Sequence, residues 1–465
     1  MKARLDARLT SLFLLLALVV MSDRAHSAHL PPATSDKVGF SPQGLERLDS
    51  VMQRAVADRQ YGGIVILLAR HGKVVRFESF GKPNLSAGQS GGRESIFRLA
   101  SMSKPITGAA MMMLWDEGKW SPKDAISKFI PEFASLKVYK DLDDFGTVRV
   151  EEPEHPPTMR ELLTHTAGFS YGFGSSPVDE LYRGNSGKSI LDPHSSLQAM
   201  IGRLARAPLL YQPSTRWVYS LSVDIQGYII EKLSGMTLPE FLKRRMFEPL
   251  GMKDTGFYVP KEKWSRFATM YRVRQNKVGA VVSEALSNDG QPVSLLPLDY
   301  RQEPSQPSGG GGMVSTAEDY FRFAQMLLNG GELNGVRVLS PAAVKLMISN
   351  HLPDSMTAEY KRIVTNTPRL GMGYGYDGAV VVDAGKADLP LGNGSYLWDG
   401  AFGTWFWIDP VNAIVFVGMV QRTAFPGDKQ PTTYTDLQEL SKALVYQALL
   451  DDAWTSCPRR ARPPL

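Results

Sequence analysis

Phe97-Arg-Leu-Ala-Ser-Met-Ser-Lys-Pro-Ile-Thr107, continued by the apolar run 106–114 (ITGAAMMML), is the stretch on which the fold turns. Ser101 and Lys104 stand three residues apart in an S-x-x-K pattern, a spacing that on a helix puts both side chains on one face within proton-transfer reach. Pro105 is harmless only in a helix's first turn, so a helix is predicted to begin near Ser101. The residues after it are apolar all round, as those of a buried helix are, with Met111-Met-Met113 as core filler. Ser101 is then expected at the positive end of a buried helix dipole, whose free N–H groups can stabilise an oxyanion. The same pattern recurs at Ser79-Phe-Gly-Lys82, but there it ends a β-rich run and meets Gly81 and Pro83, so no helix aligns the pair.

Working outward, 41–59 carries helical apolar spacing at Leu45, Leu48, Val51, Met52 and Val56. Residues 63–70 (GIVILLAR), the turn pair His71-Gly72 and residues 73–80 read as a hairpin. Residues 403–408 (GTWFWI), the turn 409–412 and 413–421 (AIVFVGMVQ) read as a second hairpin, followed by a helix over 436–450. Strand-rich ends, each with its helix, imply an α+β fold whose single antiparallel sheet is built from both chain ends. Between them, helical patterns at 159–164, 225–233 and 238–246 mark an inserted, mostly helical lobe, with long loops at 170–190 and 275–305 as candidate binding walls. The division expected is a signal peptide over 1–27, a linker over 28–36, a hydrolase domain over 37–455 (α/β lobe 37–119 plus 301–455, helical lobe 120–300) and a flexible tail over 456–465.

The chain has 465 residues, 43% of them apolar, enough for a large core shared by two lobes. Its formal charge of +5 falls to about +3 without residues 1–27, too mild for a nucleic-acid partner, and no basic stripe interleaved with aromatics occurs. The seven histidines are scattered, with neither H-E-x-x-H nor a Cys/His cluster, so no metal and no cofactor is expected. A basic start, an apolar run over 12–21 and a small-residue end at Ala25-His26-Ser27-Ala28 form a secretory signal, which predicts a periplasmic or secreted protein with no stable membrane insertion after cleavage. The one cysteine, Cys457, lies in a Pro/Arg tail, so export brings no internal disulfide.

The 97–107 segment resembles the nucleophile segment of the penicillin-recognising serine hydrolases, the β-lactamase-related superfamily, and especially class C β-lactamases and family VIII carboxylesterases. Further segments match in order: Leu162-Leu-Thr-His-Thr-Ala-Gly168, Tyr219-Ser220 ahead of Gly227-Tyr-Ile-Ile-Glu231, Phe247-Glu-Pro-Leu-Gly-Met-Lys-Asp-Thr255, and 309–319 (GGGGMVSTAED). The resemblance covers roughly 38–450. It implies the β-lactamase/transpeptidase-like fold, with Ser101 as nucleophile and Tyr219 as general base or its relay beside Lys104; which of the two holds the proton is left open. By the same resemblance Trp398-Asp399-Gly400 takes the place of the Lys- or His-x-Gly strand, the Ala401 N–H joins that of Ser101 in an oxyanion hole, and Trp398, Asp399, Gly400 and Ser222 contact substrate.

Two departures bear on substrate. Tryptophan in place of a cation removes a partner for a β-lactam or peptide carboxylate and offers an apolar wall instead. Leu221-Ser222 follows Tyr219-Ser220 where the β-lactamases carry an asparagine. Both favour a small-molecule ester as substrate, hence a carboxylesterase. A β-lactamase or D,D-carboxypeptidase acting on β-lactams or peptidoglycan peptides is the alternative, and an inactive ligand-binding module of the same fold the third. Gly168-Phe-Ser170-Tyr-Gly172 satisfies G-x-S-x-G, but helical residues precede it and glycines follow, against the strand–turn–helix that this motif requires. His165 is read as a turn histidine bonded to local backbone, and 309–312 as a place of close backbone packing beside the site.

Overall fold

The computed structural model describes residues 31–84, 92–184, 189–190, 192, 194–275, 281–285, 299–353, 356, 370–423 and 436–450. The expected signal segment, Cys457 and the 456–465 tail lie outside the described residues.

Seven antiparallel strands form the main sheet: β1 (Gly63–Arg70), β2 (Lys73–Gly81), β3 (Met372–Tyr374), β4 (Ala379–Val381), β5 (Tyr396–Asp399), β6 (Trp405–Asp409) and β7 (Ile414–Met419). Their order is β3-β4-β5-β6-β7-β1-β2, so the first strands of the chain pair with the last, Val65 opposite Met419 and Arg70 opposite Ile414. His71 and Gly72 both adopt positive φ, 51° and 72°, the two-residue geometry that matches the twist of a hairpin. All eight residues of β1 are buried because both faces of the sheet are covered.

Alternation along β6 decides the layers. Trp405 donates through Nε1 to Ser441 of α5 (Leu437–Gln447), and Asp409 accepts from Tyr446 of the same helix. Phe406 points the other way, with its ring 4.9 Å from that of Tyr320 on α4 (Ala317–Leu328). Helix α1 (Pro42–Ala57), capped by Ser41 and started by Pro42, packs with α5. The central helix α2 (Ser103–Asp116), buried from Ser103 to Leu114, packs against α3 (Ser222–Ser234).

The α+β expectation holds, with boundaries shifted by a few residues. Strands β3 and β4 escape the sequence reading because three-residue strands show too little alternation to register. Segment 120–300 also holds an antiparallel hairpin, Val138–Leu142 with Val148–Glu151, and Tyr271–Gln275 pairs with Val281–Ala285. The 170–190 loop contains a short helix, Pro177–Arg183, started by Pro177 and by a capping box on Ser176.

Candidate active site

Ser101 lies in a single 3-10 turn, Ala100–Met102, between the short strand Phe97–Arg98 and the start of α2. The change of direction is concentrated at Ala100, whose φ of 47° is a left-handed conformation that costs a residue with a Cβ on the order of 1 kcal/mol. What holds it is the turn after β5. Thr404 Oγ1 donates to the Leu99 carbonyl at 3.1 Å, and Gly400 lies so close that a Cβ on it would stand 2.1 Å from that oxygen. Gly400 donates to the Thr404 carbonyl, Gly403 donates to the Gly400 carbonyl, and Phe402 shares a small apolar cluster with Ala100 and Met270. Ala401 therefore follows directly on the residue that abuts the backbone leading into Ser101.

Lys104 is wholly buried. Its ammonium nitrogen lies 3.4 Å from Ser101 Oγ, 2.9 Å from Tyr171 Oη and 2.5 Å from the Gly310 carbonyl oxygen. It also stands 4.5 Å from the centre of the Tyr219 ring. Burial lowers its pKa to about 8, because the charged form loses its hydration; two buried carboxylates, Asp224 and Asp377, pull the other way. Burial likewise holds the Tyr171 hydroxyl well above the usual phenol range, so it remains protonated.

An aromatic group surrounds this cluster. The Tyr219 ring is 4.9 Å from His165, 5.2 Å from Tyr171 and 5.8 Å from Trp398, and Trp398 is 5.4 Å from Tyr374. Phe173 stacks on Tyr171 at 5.0 Å and is 70% exposed, so the aromatic wall runs from Lys104 out to solvent. Among the described residues no group of three or more His, Cys, Asp or Glu could hold a metal ion.

Ser101, Lys104 and Tyr219 are thus brought together, with Trp398 on the Tyr219 side and Asp399 half-buried at the end of β5. Ser222 is placed otherwise than expected for a substrate contact. It is fully buried, its hydroxyl is hydrogen-bonded to that of Ser220, and Ser220 is bonded to His165 Nδ1 at 2.9 Å. The first residue of α3 points into the core, so this hydroxyl closes an internal chain rather than a pocket wall. His165 differs too: its ring meets the Ser220 side chain instead of local backbone, and burial with the Lys104 charge nearby keeps it neutral. Ser170, the G-x-S-x-G serine, is buried and donates to Asp179, which leaves it no role as nucleophile.

Tyr171 is the residue that sequence reasoning missed. It stands inside the G-x-S-x-G quintet, where attention to the serine hid the phenol beside it. Gly309 and Gly310 pack as expected: a Cβ on Gly309 would lie 2.7 Å from the Val223 carbonyl, and one on Gly310 2.7 Å from Asp224 Oδ2.

A family model described as Beta-lactamase matches residues 48–440. The chain belongs to the β-lactamase family. An uncharacterized protein of Mycobacterium tuberculosis (strain CDC 1551 / Oshkosh) is 34% identical over 366 residues, 77% of this chain and 85% of that one. Esterase EstB of Burkholderia gladioli is 28% identical over 411 residues, 86% of this chain and 97% of that one. The solved structure of EstCE1, a hydrolase with promiscuous acyltransferase activity, superposes with a TM-score of 0.68 at 28% identity, covering 87% of this chain and 99% of its own. These matches bear out the resemblance to the β-lactamase-related serine hydrolases, family VIII esterases included, and make the protein a serine hydrolase of that superfamily, a family that small-molecule ester or β-lactam substrates fit.

Proposed function

We propose that the protein is an exported carboxylesterase of the family VIII type, working through an acyl-enzyme on Ser101. The observation that carries this reading is the setting of Lys104. The Gly310 carbonyl can only accept a hydrogen bond, so one N–H is committed there; the Tyr171 oxygen accepts a second. The remaining direction faces Ser101, where neutral Lys104 presents its lone pair and protonated Lys104 a third N–H. A pKa near 8 suits an acceptor that must give its proton back.

In the acylation step the Ser101 O–H bond breaks and its proton passes to Lys104 Nζ, while Oγ bonds to the ester carbonyl carbon and the carbonyl electron pair moves onto oxygen. The Ser101 and Ala401 N–H groups receive that oxyanion. Collapse expels the alkoxide, which takes the proton back from Lys104, whose ammonium the Tyr219 ring face stabilises in the interval. Water then repeats the sequence to release the acid. Trp398, Tyr219, Tyr171 and Phe173 offer aromatic rather than charged surface, which favours neutral, apolar acyl groups. The 1–27 segment supports a periplasmic or secreted location.

The test is turnover of p-nitrophenyl acetate and butyrate beside nitrocefin, with intact-mass mapping of the adduct. Ester cleavage with an acyl group on Ser101 is the expected result. Faster turnover of nitrocefin would reassign the site to β-lactams, and folded protein that a fluorophosphonate cannot label at Ser101 would make it a binding module.

A further inference from the structure

The ester-hydrolase reading places a full positive charge on Lys104 in every cycle, on a side chain that is itself wholly buried. Isolated, such a charge is costly, so the groups facing Lys104 decide how readily it forms. From the 168–174 loop comes Tyr171, from 217–220 Tyr219, and from the 163–167 turn His165, all three neutral or acting through a ring face. Among the described residues, two facing groups can carry a compensating charge, Asp224 on α3 and Asp377 in the turn between β3 and β4. The 308–312 turn contributes a carbonyl and no titratable group.

The two carboxyl groups are held differently. Asp224 Oδ1 accepts from Ser308 Oγ at 2.5 Å and from the Gly310 N–H at 3.3 Å, gripping both sides of the turn whose Gly310 carbonyl binds Lys104. A Cβ on Gly310 would stand 2.7 Å from Asp224 Oδ2 and 2.8 Å from Tyr171 Oη, so this peptide unit is wedged between the carboxylate and the phenol. Thr107 Oγ1 holds the preceding carbonyl, that of Gly309, at 2.8 Å. Asp377 lies beside Gly108, one helical turn past Lys104, and its Oδ1 takes one hydrogen bond, from Gln226 Nε2 at 3.0 Å. Burial raises both carboxyl groups, Asp377 well above the usual carboxylate range; on Asp224 the Ser308 hydroxyl, the Lys104 charge and the Gly310 N–H offset part of that rise.

We propose that Asp224 is a positioning residue of the reaction, which sets the 308–312 turn so that the Gly310 carbonyl receives Lys104 and supplies the counter-charge against which Lys104 exchanges the Ser101 proton. Asp377, bonded to Gln226 instead of to that turn, fills the space beside Gly108. The inference rests on the ester-hydrolase reading for its catalytic meaning, but the charge relation it describes is measurable without turnover.

The experiment titrates Lys104 directly, by NMR of protein labelled with 15N at the lysine Nζ and assigned with Lys104→Met, alongside the pH dependence of fluorophosphonate labelling of Ser101. In Asp224→Asn, which retains an oxygen for Ser308 while losing the charge, loss of an anion makes the ammonium easier to deprotonate. The Lys104 titration and the rising limb of labelling should both move to lower pH by about one unit. Asp377→Asn should leave both within about a fifth of that shift. Ser308→Ala, which leaves the carboxylate in place but weakens its anionic form, should move them in the same direction by less, and it serves should Asp224→Asn fail to fold. A Lys104 titration unchanged in Asp224→Asn and Ser308→Ala, or moved as far by Asp377→Asn, would overturn the assignment. An inert wild-type protein would overturn the ester reading and leave the Lys104 titration to judge Asp224.

Discussion

The chain spells S-x-x-K twice, and the two copies meet opposite fates. Ser79-Phe-Gly-Lys82 runs along the edge strand β2 and out of it: Ser79 pairs with Val65, Gly81 turns the chain at φ 70°, and Lys82 is exposed. Successive side chains of a strand point to opposite faces, so a serine and a lysine three residues apart diverge there. Ser101-Met-Ser-Lys104 runs from a 3-10 turn into a buried helix, and the same spacing converges on 3.4 Å. The first copy is half-buried at Ser79 and open to solvent at Lys82; around the second lie a carbonyl, two phenol rings and two buried carboxyl groups. The pattern defines a candidate, and burial with its neighbours makes the chemistry.

The largest expected effect separates the two serines. Ser101→Ala should reduce kcat for p-nitrophenyl butyrate by about a thousandfold or more, while Ser79→Ala stays within about twofold of the parent. Equal losses would erase the distinction. The two lysines should part in the same way: Lys104→Met falls by about a thousandfold and Lys82→Met is unaffected, read as kcat/KM at pH 8.

Acidity tests why Lys104 differs. Burial favours the neutral amine and brings its pKa to about 8, so the acceptor form grows as pH rises. A rate limb climbing through that pH is expected, with kcat/KM about a hundredfold below its plateau two units lower. A profile flat from pH 6 to 9 would remove Lys104 as the proton acceptor. Gly400→Ala probes the clamp on the nucleophile, since its Cβ must push the Leu99 carbonyl away and with it the Ala100 turn. About a hundredfold loss in kcat is expected from displacement on the order of 1 Å, with circular dichroism unchanged. Smallest is Tyr171→Phe, which takes one acceptor from the ammonium: kcat should drop about tenfold with KM nearly constant. A change in KM alone would make Tyr171 a substrate contact instead.

Much of this was legible in the residues themselves. The apolar run after Pro105 announced a buried helix, and the hairpins 63–80 and 403–421 carried enough alternation and turn chemistry to declare a sheet joining both ends of the chain. Strands of three residues, such as Met372–Tyr374, carry no periodic signal and become strands only because neighbours offer them hydrogen bonds. Tyr171 could not be singled out because nothing in its local sequence distinguishes a phenol aimed at Lys104 from one in the core.

The sequence by itself singled out Ser101 and Lys104 as a pair, since that is a property of residue type and short-range spacing, while Tyr219 and Trp398 followed only from the family resemblance. Tertiary structure alone decided that the Ser222 hydroxyl joins a chain ending on His165, that Tyr171 hydrogen-bonds Lys104 while Tyr219 turns its ring face to it, and that Asp224 reaches the lysine through Gly310. These are contacts between residues dozens to over two hundred positions apart, and direction and burial at such separations are settled by packing of the whole chain rather than by any local preference.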